Sequence, residues 1–278
     1  MADLTLRRGN APLLISLPHD GRSIPPELAA RMTPEARAVP DTDWWMAALY
    51  GPIAEALDAS LIVPSHSRYV IDLNRPPDDR SLYPGRNTTG LCPLVRFDGG
   101  PVYREGQAPD AAEVADRVER WWRPYHDALA GELARLVARH GRVLLWDGHS
   151  IASRLPWLFE GELPELNLGT ADGSSCSPAT ATRLVEGLAA QTRFSWVVNG
   201  RFKGGYITRH YGRPEAGVEA VQMETAQRAY MREPAGSFEP ERAAPLQALL
   251  GSLLAAFESR VNPQHGRAGP SSQRHPSV

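Results

Sequence analysis

Sulfur and net charge are both scarce in this chain. Two cysteines, Cys92 and Cys176, occur among 278 residues, and they form no C-x-x-C pair. That spacing supports neither a disulfide framework nor a thiolate zinc site. Any metal must then be held by imidazole and carboxylate. Cys176 lies in the polar stretch GTADGSSCSP and reads as an ordinary loop cysteine rather than a nucleophile. The formal net charge is −2, so no basic field draws in nucleic acid. No apolar run approaches the roughly 18 residues of a membrane span. No internal repeat is visible, and the opening MADLTLRRGN has no apolar core of the kind a secretory signal carries. The expectation is a cytoplasmic protein that acts on a small molecule, with neither nucleic acid nor membrane as partner.

Hydrophobic residues make up 42% and charged residues 22%, the balance of a soluble domain with a sizeable core. Short β-rich runs at 12–17, 60–64, 68–73, 142–147, 194–198, 205–209 and 218–224 alternate with helical patterns at 41–58, 111–140, 178–191 and 239–260. The pattern over 111–140 is expected to kink at Pro124. Such alternation predicts an α/β fold. One catalytic domain, residues 1–262, would hold a mainly parallel central sheet flanked by helices. Its active site then belongs at the carboxyl ends of the strands. Residues 74–110 are rich in proline and glycine and lack periodicity. So long an irregular stretch inside a domain is expected to be functional, a lid being one reading. The polar tail, 263–278, is expected to be disordered, and His265 and His275 in it are set aside.

Two strand patterns end in chemistry. ISLPHDG (15–21) runs from apolar residues into His19 and Asp20, and VLLWDGHS (143–150) runs into Asp147 and His149. Parallel strands place such ends on one edge of a sheet. PDTDWW adds Asp41 and Asp43 where a helix begins. One aspartate suffices for an N-cap, and the second is then free. Two imidazoles and a carboxylate form the shell of a catalytic zinc site, with a position left open for water. AVQMETAQ offers Glu224 at a strand end, where a general base is useful. Asp147 either orients an imidazole or satisfies backbone N–H groups. Arg68 and Asp72 fall on one face of the expected strand at i and i+4 and are placed to pair. Arg75 lies in the loop beyond, and NGRFKGGYITRHYGRP carries Arg201, Lys203, Arg209, His210 and Arg213. Clustered guanidinium groups beside a metal suit a carboxylate substrate.

The motifs SLPHDG, DTDW, SRYVIDLNRP, LCPLVRFDGGPVYREG, LLWDGHSI, LNLGTADGSSC, NGRFKGGYITRHYG and VQMETAQRAYM resemble those of the N-formylglutamate amidohydrolases. They occur in the same order from about residue 11 to about 255. The resemblance implies hydrolysis of N-formyl-L-glutamate to formate and L-glutamate, the last step of a histidine degradation route, on a zinc ion. It also implies a fold like that of the zinc-dependent exopeptidases and N-acetylmuramoyl-L-alanine amidases. Carried over by position, the metal ligands are His19, Asp43 and His149, and Glu224 carries the proton. Asp43 is preferred to Asp41 because a helix follows it; Asp41 then serves as the cap. An aspartate where zinc peptidases commonly have glutamate shortens the reach by one methylene and leaves the metal's identity open. His210 or an arginine would stabilise the oxyanion, and Arg68, Arg75, Arg209 and Arg213 would hold the dicarboxylate substrate. The rivals are another N-acyl amino-acid or peptidoglycan amidase, and a carboxylate-binding protein without chemistry.

Overall fold

The computed structural model describes residues 4–258, apart from Tyr83, Pro84, Arg86 and Ala235. The expected tail at 263–278 lies outside the described residues. At the centre is β4 (Val143–Ile151), buried at every position. It has a strand on either side and helices over both faces, which is what keeps a parallel strand dry. Leu144 and Trp146 enter one apolar layer, and Val143 and Leu145 enter the other. The remaining strands are β1 (Leu4–Arg7), β2 (Leu13–Ser16), β3 (Ser60–Pro64), β5 (Leu166–Gly169), β6 (Trp196–Val198) and β7 (Val218–Ala226). They form one seven-stranded sheet in the order β1-β3-β2-β4-β7-β5-β6. β3, β2, β4 and β7 run parallel. β1 joins β3, and β5 joins β7, in antiparallel fashion. The chain thus adopts the expected α/β class with a mainly parallel sheet, while β1 and β5 are strands that the sequence patterns do not announce.

The helices are α1 (Pro26–Ala29), α2 (Pro34–Arg37), α3 (Met46–Ala56), α4 (Ala111–Arg117), α5 (Arg123–His140), α6 (Pro178–Ala189), α7 (Tyr206–Tyr211) and α8 (Pro240–Glu258). α3, α6 and α8 cover one face of the sheet with residues such as Leu49, Ile53, Leu188 and Leu250. α5 covers the other with Tyr125, Leu129, Leu133 and Leu136. No helix of the described residues is long and apolar enough to cross a membrane. α4 and α5 are joined by a π-helical turn, Val118–Trp122. That wide turn ends just before Pro124, which has no N–H to donate and whose ring crowds the preceding turn. The irregularity expected at Pro124 is therefore a bulge in one helical rod.

Two expected strands are not strands. Residues 68–73 form a turn, in which Val70 N–H donates to Ser67 O at 2.9 Å and Asp72 N–H to Leu91 O at 2.7 Å. Arg68 and Asp72 do pair, but through this turn and not across a strand face. Residues 205–209 open α7 instead. Tyr206 N–H donates to Asn74 O at 3.2 Å, and Ile207 N–H donates to Asn74 Oδ1 at 2.8 Å. A distant asparagine thus satisfies the first amides of this helix.

Candidate active site

β2 ends at Ser16, and Pro18 then carries the chain over the sheet edge to His19. His149 is on β4 itself, and Glu224 lies directly opposite it on β7. Parallel packing brings all three to one end of the sheet, the end at which polar residues leave apolar strands. Asp43 arrives from the segment before α3, with its N–H donated to His19 O at 3.1 Å.

The two histidines are held alike. His19 Nε2 lies 2.7 Å from Asp72 Oδ1, and His149 Nε2 lies 3.0 Å from Asp147 Oδ2. A carboxylate on Nε2 favours the tautomer with its proton there, which leaves a lone pair on Nδ1. Both Nδ1 atoms turn toward Asp43 Oδ2, His149 at 3.1 Å and His19 at 3.7 Å. One ligand atom from each of His19, Asp43 and His149 falls within 4.8 Å of the others. Donors on a tetrahedral zinc, with bonds of about 2.0–2.2 Å, lie roughly 3.3–3.5 Å apart. His19 Nδ1 is buried and has no hydrogen-bond partner. A divalent cation between the three groups supplies that partner, so the residues present fit one.

The electrostatics agree. Burial alone pushes Asp43 up, but the imidazoles of His19 and His149 hold its carboxyl well below the usual carboxylate range. Burial pushes His149 down, yet the carboxylates of Asp147 and Asp43 raise it well above an ordinary histidine. Glu224 is different. Burial pushes its carboxyl up to about 8, with His149 pulling it down and Asp43 pushing it further up. Gln222 Nε2 donates to Glu224 Oε2 at 3.2 Å.

The sequence left two aspartates in play, and the structure separates them. Asp41 Oδ2 accepts Phe97 N–H at 2.8 Å and so ties the loop around Phe97 to the site. It does not cap α3. Met46 N–H donates instead to Asp20 Oδ1 at 3.0 Å. Asp43 is the one that meets the histidines.

The cavity over these groups is lined by His19, Asp43, His149 and Glu224, with Arg68, Arg75 and Arg201 on its walls. Phe97, Ile151, Leu158 and Phe202 make an apolar side. Arg68 is nearly buried. Its Nη2 donates to Asp72 Oδ2 at 2.6 Å, its Nη1 reaches Asp43 Oδ1 at 3.5 Å, and its guanidinium sits 4.7 Å from the Phe97 ring. It is therefore locked among acidic partners that belong to the site itself. Arg209, His210 and Arg213 do not line the cavity. Once 205–209 becomes helical, Tyr206, Ile207 and Thr208 turn inward and Arg209 and His210 turn outward. His210 stacks on Tyr206 at 4.7 Å, and with Arg213 it lines a separate groove. The oxyanion role expected of His210 is thus not open to it.

Asp72, Asn74 and Gln222 lie at the site although none was expected there, Asp72 having been read only as a partner for Arg68. Asn74 Nδ2 donates to Asp147 Oδ2 at 3.2 Å and lies 2.9 Å from His149 Nε2. The sequence signal for Asn74 was only its place in the quoted stretch SRYVIDLNRP. Cys176 is buried, and burial pushes its thiol up to about 11, in keeping with an inert cysteine.

Comparison with known proteins adds a family. The model for N-formylglutamate amidohydrolase matches residues 11–231. An N-formylglutamate deformylase of Pseudomonas aeruginosa is 52% identical over 252 residues, covering 90% of this chain and 94% of that protein. One from Pseudomonas putida is 48% identical over 255 residues, covering 91% and 95%. The crystal structure of N-formylglutamate amidohydrolase from Ralstonia eutropha JMP134 superposes with a TM-score of 0.79 at 26% identity, covering 94% of this chain and 99% of that one.

Proposed function

The chain belongs to the N-formylglutamate amidohydrolase family, and on that premise we propose that it hydrolyses N-formyl-L-glutamate to formate and L-glutamate with one divalent cation, zinc being the expected one. The observation that carries the metal is the pair of imidazoles. Each has its Nε2 on a carboxylate and its Nδ1 toward Asp43, and His19 Nδ1 has no other partner. His19, Asp43 and His149 would hold the ion. Such an ion, held there, would lower the pKa of a water toward neutrality and would polarise the formyl group.

The chain's own residues do the rest. Asp72 and Asp147 keep both Nδ1 lone pairs turned inward. Glu224 takes a proton from the attacking water as its oxygen bonds to the formyl carbon. It returns that proton to the amide nitrogen as the carbon–nitrogen bond breaks. Burial raises the Glu224 carboxyl to about 8 even with His149 pulling it down. Near neutrality, both its acid and its base forms are available. A single catalytic domain over residues 1–262, a cytoplasmic location and a place at the end of a histidine degradation route complete the reading. The test is formate release from N-formylglutamate by purified protein whose metal content is measured. Activity should vanish on chelation and return with zinc. Full activity in metal-free protein would refute the metal, and absence of formate from the metal-loaded protein would refute the reaction.

A further inference from the structure

We infer that two different guanidinium groups take the two substrate carboxylates, Arg75 the α-carboxylate and Arg201 the side-chain carboxylate, and that Arg201 sets the preference for an acidic side chain. This rests on the N-formyl amino-acid reading of the site. Among the described residues, three guanidinium groups line the cavity. Arg68 is unsuited to gripping substrate, because Asp72 and Asp43 already offset its charge. Arg75 is partly buried, and among the described residues its guanidinium donates to neutral oxygens. Nε donates to Thr89 O at 2.8 Å, Nη1 to Asn74 O at 3.2 Å and Nη2 to Thr89 Oγ1 at 3.4 Å. Among the described residues no carboxylate pairs with Arg75. Asp72 is near enough for the two charges to interact, but a partly buried guanidinium that no carboxylate hydrogen-bonds is further stabilised by an anionic ligand in the cavity.

Placement then divides the labour. Arg75 is rooted in the segment that backs both histidines. Its N–H donates to Asp72 O at 3.2 Å, and it follows Asn74, which lies against His149. Arg201 is rooted in the outer loops. Its Nε donates to Leu158 O at 3.3 Å and its Nη2 to Asn87 O at 3.1 Å. Asn87 in turn donates to Trp157 O at 2.8 Å. In an N-formyl amino acid the α-carboxylate is borne by the carbon next to the reacting amide, while the glutamate side-chain carboxylate lies at the end of two methylenes. With the formyl group at the histidines, the near carboxylate meets Arg75. The methylenes pass along Ile151, Leu158 and Phe202, and the far carboxylate meets Arg201.

The experiment compares kcat/KM for N-formylglutamate and N-formylglutamine, which share a shape and differ in the charge of the distal group. Arg201→Gln should slow the first by about 10- to 100-fold, the worth of a charged hydrogen bond. The second should change little, so the preference for glutamate collapses. Arg201→Lys, which keeps the charge without the fork, should fall between. Arg75→Gln should slow both substrates alike and leave the preference intact. If Arg201→Gln and Arg201→Lys slow both substrates equally, or if Arg75→Gln is the variant that erases the preference, the assignment is overturned while wild-type activity still supports the reaction. Wild-type protein that releases formate from neither substrate would overturn the underlying reading, and the assignment with it.

Discussion

Replacing Asp72 with asparagine tests whether the carboxylate behind His19 orients a metal ligand or merely fills the core. Asp72 is fully buried. Its Oδ1 accepts from His19 Nε2 at 2.7 Å and from Asn74 N–H at 2.9 Å, and its Oδ2 accepts from Arg68 Nη2 at 2.6 Å. Asparagine keeps the shape but loses the charge and one acceptor. With its oxygen toward His19, its Nδ2 faces Arg68, donor against donor. Turned over, its Nδ2 faces His19 Nε2, which must then accept. The imidazole proton moves to Nδ1, the atom aimed at Asp43, and the lone pair needed there is lost. Neither orientation is satisfactory.

Removing one partner of a buried ion pair costs about 3–5 kcal/mol, a large share of the roughly 5–15 kcal/mol that holds a typical domain together. Losing the carboxylate behind a ligating imidazole lowers metal affinity by about 10- to 100-fold. The first effect is read from urea unfolding of the chelated protein, and the second from zinc competition against a chromophoric chelator. The stability loss alone would fit any buried aspartate. The affinity loss is specific to the orienting role, so an Asp72→Asn protein that binds zinc within twofold of wild type would refute the reasoning.

Two further outcomes follow from the same site. Glu224→Gln preserves size but cannot take a proton, so kcat should fall by about 10²- to 10⁴-fold with zinc content unchanged; an unchanged kcat would remove Glu224 from the mechanism. Against burial, the carboxylates of Asp147 and Asp43 raise His149 well above the ordinary histidine value. Its contribution to stability is therefore fully present below the unfolded value of about 6.5 and is lost as pH rises through the folded value. Because a ligating imidazole must be neutral, zinc uptake at pH 7 should expel that proton into a weakly buffered indicator solution, and affinity should weaken as pH falls. Zinc uptake without proton release would show that His149 is not a ligand.

The residues that gather at the candidate site were legible where a strand pattern ran straight into a polar residue. PLLISL leading to His19, VLLWD leading to His149 and AVQM leading to Glu224 are signals within a few residues, and parallel packing gathers such ends without further instruction. Arg209 and His210 were expected at the cavity and do not line it, because the deciding contact is distant. GYITR alternates like a strand, yet Asn74, 133 residues before Ile207, takes the amides that start a helix. That rotation carries Arg209 and His210 away from the cavity. Asp41 and Asp43 stand two residues apart in one motif, and what separates them is the N–H of Phe97, 56 residues from Asp41. Arg68 and Arg75 both lie in SRYVIDLNRP and both line the cavity, so nothing local distinguishes an arginine ion-paired within the site from one that is not. The difference is whether carboxylates elsewhere in the chain have already engaged the charge. Asp43 and Asp72 do so for Arg68 by direct contact, whereas among the described residues no carboxylate is in direct contact with the Arg75 guanidinium.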